Sequence, residues 1–191
     1  MFAGWASAEF LDTTGRDMGV KSIAHPIGTR SGDAAIDAVI SALETGDRQA
    51  IARLLRFETV GCTHALGIGG PPKCGQDDAE GTPFQVLPNS GCEGGWWLGP
   101  ELQTIQVLSR FVKTYSGASL SAVYRPPVSV QRRYTGEYII VYVRDTGFGR
   151  AALVIGVTDG RIVSTGSGCD TKPEDILRGA QGATVVLAPP Q

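Results

Sequence analysis

The two apolar, β-branched runs Arg150 to Val157 and Arg161 to Ser164, joined by Thr158-Asp159-Gly160, constrain this chain more than any other feature. Asp-Gly between such runs predicts a tight hairpin, because the turns that match strand twist need positive φ at two successive residues. The helix-like segments lie near the N-terminus and the strand-like runs lie late. That order predicts one α+β domain, an antiparallel sheet packed on about three helices. With 191 residues and 42% hydrophobic content, the chain can bury one sizeable core without a structural metal.

Helical periods begin after Ser31-Gly32. Asp33 caps a predicted helix whose apolar positions Ile36, Val39, Ile40 and Leu43 fall on one face, and Gly46 ends it. Asp47 caps a second, Arg48 to Arg56, and the short connection makes the two neighbours. A third is expected after Gly99-Pro100-Glu101, with Leu102, Ile105, Leu108, Phe111 and Val112 as its buried stripe. Strands are expected at Phe57 to Val60, Ser119 to Tyr124, Glu137 to Arg144 and, at the edge, Thr184 to Leu187, with a short helix at Lys172 to Arg178. Tyr138 to Val143 is apolar on both faces, which places it in mid-sheet. The expected core sets Ile36, Val39, Ile40, Leu43, Leu54, Ile105 and Leu108 against Ile139, Val141, Leu153 and Ile155.

Two segments lack a period. Residues 1–30 read as an N-terminal arm preceding a single domain over 31–191, and residues 61–95, rich in Gly, Pro and Cys, read as an irregular insertion. Three of the four cysteines, Cys62, Cys74 and Cys92, fall in that insertion, and Cys169 follows the hairpin. Disulfides are favoured, Cys62 with Cys74 and Cys92 with Cys169, although three connectivities are open. Zinc on Cys62, His64, Cys74 and Cys92 is the competing reading, but it lacks a Cys-x-x-Cys knuckle, and free thiols are expected if the chain is cytosolic. Disulfides imply an oxidising, extracytoplasmic location.

The net charge of −2 comes without a basic stripe, so nucleic acid is not an expected partner. No run approaches the roughly 18 apolar residues of a membrane helix. Glu58, Glu93, Glu137 and Asp145 are the carboxylates nearest apolar runs, but no acid–base pair, triad or phosphate loop can be assigned, and no cofactor is expected. Aromatic residues give the binding argument. Trp96, Trp97, Tyr115, Tyr124, Tyr138 and Tyr142 are the candidate ligand or partner contacts, with Trp96 and Trp97 pointing to opposite sides of an extended segment.

The stretches AAIDAVISALETGDRQAIARLL (Ala34 to Leu55) and AALVIGVTDGRIVSTGSG (Ala151 to Gly168), in that order, resemble the nuclear transport factor two-like superfamily, which includes SnoaL-like proteins. The resemblance implies a curved sheet wrapped around helices with a cavity at its open end. It implies no activity, since such a fold serves enzymes and non-enzymes alike. The segment 61–95 is a departure from ordinary members, placed to cover the cavity mouth, and its style is similar to exported bacterial domains. Two functions follow as expectations: a non-catalytic exported domain that binds a small apolar ligand or associates with itself or a protein partner in the cell envelope; or, alternatively, a small isomerase, cyclase or hydrolase using a buried carboxylate and a tyrosine.

Overall fold

A computed structural model describes residues 24–90, 94–127, 135–146, 149–167, 176 and 182–190. Helix α1 (Ala34–Thr45) opens where the Asp33 carboxylate accepts from the N–H groups of Ala35 and Ile36, and α2 (Arg48–Leu54) opens on Asp47 in the same way. Both caps stand where the sequence places them. The expected third helix is instead two, α3 (Gly99–Leu102) and α4 (Ile105–Ser116), because the Thr104 hydroxyl caps the second by accepting from Val107. That break puts Ile105 at the start of α4, where it is 75% exposed rather than in the core.

Eight strands form one sheet among the described residues: β1 (Glu58–Gly61), β2 (Pro83–Ser90), β3 (Gly95–Leu98), β4 (Ser119–Arg125), β5 (Tyr138–Thr146), β6 (Gly149–Thr158), β7 (Arg161–Ser167) and β8 (Thr184–Leu187). Their order is β1-β2-β7-β6-β5-β4-β8, with β3 paired to β2 off this path. The sheet is mixed, not wholly antiparallel, because β2 runs parallel to β7 at Asn89↔Thr165 and Ser90↔Gly166. β2 and the start of β3 lie inside the segment expected to be irregular. Pro83 and Pro88 mask β2 in the sequence, since proline cannot donate to a ladder and normally argues against a paired strand. Here β2 tolerates them while burying Val86 and Leu87 completely.

The hairpin forms as expected, with Asp159 at φ 52° and Gly160 at φ 67°. Its turn packs against the body, where the Arg56 guanidinium meets the Asp159 carboxylate at 3.0 Å. The register decides the faces. Ile140 and Tyr142 of β5 join Leu153, Ile155 and Val157 of β6 under the helices, with Ile36, Val39, Ile40, Leu43, Leu108 and Phe111 above them. Ile139 and Val141 therefore do not meet the helices as the sequence reading expected. They point to the opposite face, with Tyr124, Ala152 and Val154, and Ile176 and Ala183 pack on them there. A strand alternates its side chains, so an apolar run on both faces leaves the assignment of each residue to its partners.

The arm is described from residue 24. His25 donates its backbone N–H to the Leu120 carbonyl oxygen at 2.6 Å, and Arg30 pairs with Glu44 of α1 at 2.9 Å. The expected helix at Lys172 to Arg178 lies outside the described residues except at Ile176.

Ile40 is fully buried beneath α1. Ile40→Ala is therefore expected to cost about 2–5 kcal/mol in denaturant unfolding, whereas a cost near zero would mean that α1 does not cover the sheet. Gly156 sits so close to the Thr135 carbonyl oxygen and the Ser164 hydroxyl that any Cβ would overlap both. Gly156→Ala should cost about 1–3 kcal/mol or more, read by the same unfolding curve.

Candidate functional site

The irregular part of the insertion is a closed, cross-linked loop. Cys62 and Cys74 form a disulfide with their Cα atoms 4.9 Å apart. Between them, Thr63 donates to the Pro72 carbonyl and Cys74 to the Thr63 carbonyl, at 2.8 and 3.1 Å. The loop is fastened outside itself as well. The Glu80 carboxylate accepts from the His64 backbone N–H at 2.6 Å, and that hydrogen bond, reinforced by the Thr63 hydroxyl, holds its acidity stronger than usual. His64, Cys74 and Glu80 bring a ring nitrogen, a sulfur and a carboxylate oxygen within 4.8 Å of one another. The Cys62 and Cys74 sulfurs are joined to each other, so neither is a thiolate donor to a metal in this state. Cys92 and Cys169, the second expected pair, lie outside the described residues.

The aromatic residues divide into separate groups. Trp97 faces the helices opposite Leu87 and begins a row that continues through Phe111 and Tyr115 to Tyr142, with ring centroids 6.0, 5.1 and 6.3 Å apart. This row fills the space between sheet and helices. Its polar groups are partly served: the Trp97 indole N–H donates to the Thr165 hydroxyl at 3.1 Å, and the Tyr115 hydroxyl lies 3.4 Å from the Val154 carbonyl oxygen. The Tyr142 hydroxyl is buried without a partner among the described residues. Burial pushes the pKa of both tyrosines up, and for Tyr142 the nearby Glu44 charge adds to that shift. Neither ionises in the physiological range.

Tyr138 stands apart at a sheet end, under the Arg125 guanidinium at 4.7 Å, and Tyr124 lies on the opposite face of the sheet. The candidate carboxylates do not meet this row either. Glu58, Glu137 and Asp145 are exposed, and Glu93 lies outside the described residues. Glu44, which the sequence reading passed over, is the acid nearest in effect to Tyr142. Its oxygens accept from Arg30 at 2.9 Å and from the Gly28 backbone N–H at 3.3 Å. A helical residue with no motif around it gives no sequence signal for such a position.

Trp96 turns the other way, opposite Pro88, and its indole N–H donates to the Gly70 carbonyl oxygen of the cross-linked loop at 2.8 Å. The expectation that the two tryptophans point to opposite sides holds. Beside the half-buried Trp96 ring lies an open cleft of about 230 Å³, walled by the loop glycines Gly69 and Gly70, the end of β2 at Pro88, Asn89 and Ser90, and Ser164 and Thr165 of β7. The cleft lies at the short parallel contact of β2 with β7, at Asn89↔Thr165 and Ser90↔Gly166. The site signal missed in the sequence is Asn89-Ser90, hidden next to Pro88.

No protein-family model, no curated protein and no solved structure matches the chain. Among the described residues no helix is long and apolar enough to cross a membrane.

The loop closed by Cys62 and Cys74 spans 12 positions. By chain entropy, replacing both cysteines by serine should cost about 3 kcal/mol in thermal or denaturant unfolding, and a loss below about 1 kcal/mol would show that the hydrogen bonds alone hold the loop. Tyr142→Phe removes a buried hydroxyl that has no partner among the described residues, so its unfolding free energy should stay equal to the parent or rise by up to about 1 kcal/mol. A loss above about 1 kcal/mol would show that this hydroxyl is hydrogen-bonded in the folded protein.

Proposed function

We propose that this chain is a non-catalytic binding domain of the extracytoplasmic space, which takes a small ligand with an apolar face, or a protein partner, at the rim where the cross-linked loop meets Trp96. One observation carries the reading: the row Trp97, Phe111, Tyr115 and Tyr142 occupies the interior where a cavity enzyme would hold its substrate. An isomerase or cyclase would need a carboxylate within hydrogen-bond reach of a tyrosine hydroxyl there. Glu44 is instead committed to Arg30 and Gly28, and the buried polar side chains among the described residues are Thr63, Ser121, Ser164 and Thr165, with no acid.

The scaffold reading rests on resemblance to the nuclear transport factor two-like superfamily. The mixed sheet with α1, α2 and α4 on one face is compatible with it. The Cys62–Cys74 disulfide supports an oxidising compartment. Long loops on a rigid scaffold commonly hold binding residues, and this one is closed covalently.

A fragment screen by NMR, run on the parent protein and on Trp96→Ala and Trp97→Ala, tests the proposal. Trp97→Ala should cost about 3–5 kcal/mol of stability while the folded remainder still binds. Trp96→Ala should cost only about 1–2 kcal/mol and abolish the response of resonances around Asn89 and Ser90. Fragments that perturb Tyr115, Tyr142 and Glu44 instead would favour the enzyme.

A further inference from the structure

We infer that the Trp96 cleft is a saccharide subsite that takes one neutral sugar ring. The inference rests on the binding-domain reading and names its ligand chemistry. The described side chains that line the cleft carry hydroxyl and amide groups, one indole and one proline ring, and no charge. An ionic ligand such as a phosphate or carboxylate finds no countercharge among these described side chains to offset the hydration it gives up. A wholly apolar ligand would strand the polar groups around it.

The state of each polar group narrows the choice further. Ser90 and Ser164 already donate their hydroxyl protons, to the carbonyl oxygens of Thr165 and Thr135 at 3.2 and 2.5 Å. Each therefore presents acceptor lone pairs. The Thr165 hydroxyl lies 3.0 Å from Asn89 Oδ1 and 3.4 Å from the Pro88 carbonyl oxygen, and its proton on the nearer acceptor leaves the Asn89 Nδ2 hydrogens as donors. A ligand must then both donate and accept at neighbouring atoms, which is what vicinal hydroxyl groups do.

Trp96 supplies the remaining element. Its indole N–H is consumed by Gly70 at 2.8 Å, so the ring offers its π-face rather than its donor. That face is electron-rich and attracts the polarised C–H groups on one side of a pyranose. The anchoring carbonyl belongs to the loop closed by the Cys62–Cys74 disulfide, so the ring orientation is set before any ligand arrives. The volume, about 230 Å³, falls below the roughly 300–1,000 Å³ of drug-sized sites and suits a single ring of a longer glycan.

The test is an array of neutral and uronic-acid glycans, with the best neutral oligosaccharide then titrated by NMR against the parent protein, and benzene titrated as the apolar probe. The neutral sugar should shift the Trp96 indole and Asn89 side-chain resonances with a dissociation constant of about 1 mM or tighter, and its uronic-acid counterpart should bind about tenfold more weakly. Trp96→Ala should weaken binding by about tenfold or more, and Trp96→Phe by less, since it keeps an aromatic face but loses the hydrogen bond to Gly70. Should Trp96→Ala fail to fold, Asn89→Leu reads the same site through the amide and should also weaken binding about tenfold. If benzene shifts these resonances and no glycan does, the sugar assignment falls while the binding-domain reading stands. If neither does, the sugar assignment and the small-ligand form of the binding-domain reading both fall.

Discussion

The pairing of β6 with β5 on one side and β7 on the other is the constraint on which the rest of this structure depends. β5 and β6 run in register from Tyr138↔Val157 to Thr146↔Gly149, and β6 continues through the Asp159-Gly160 turn into β7. Because β6 buries Leu153, Ile155 and Val157 on one face and Ala152 and Val154 on the other, its register decides what both layers touch. A slip of one residue would exchange the two sets. The bulge between Gly156 and Val157 then re-aims β7, so that Ile162 and Thr165 face the helices and Ser164 faces Gly156.

From β7 the consequences reach the cleft. Thr165 stands where the aromatic interior and the rim meet: its hydroxyl accepts from Trp97 and donates to Asn89, while its backbone carbonyl accepts from Ser90. The interior row and the cleft thus share one residue, and neither wall can shift without the other. The disulfide acts from the far side, closing the loop whose Gly70 holds Trp96. A ring held between a covalent loop and a sheet edge has little freedom left to lose on binding.

The first two helices, their caps, the hairpin turn, the edge strand at 184–187 and the Cys62–Cys74 link are legible in the residues because each depends on local chemistry. Asp33 and Asp47 cap through their own carboxylates, Asp159-Gly160 takes positive φ, and a short cysteine-bearing loop brings its ends together. The opposite orientations of Trp96 and Trp97 follow from strand alternation alone. Strand β2 is not legible, since Pro83 and Pro88 contradict it locally and only the burial of Leu87 in the core under the helices, together with that of Val86 beside it, makes it favourable.

By itself, then, the sequence determined an α+β chain with two capped helices, a late hairpin, a cross-linked loop and an uncommitted set of aromatics. Tertiary structure decided the division of those aromatics into an interior row, a sheet-end pair with Arg125 and a single rim tryptophan. It also decided the faces of Ile139 and Val141, the exposure of Ile105 and the parallel contact at Asn89 and Ser90. The physical reason is range: caps, turns and alternation are fixed by neighbours a few residues apart, whereas a strand apolar on both sides, or broken by proline, is assigned only by partners from distant parts of the chain.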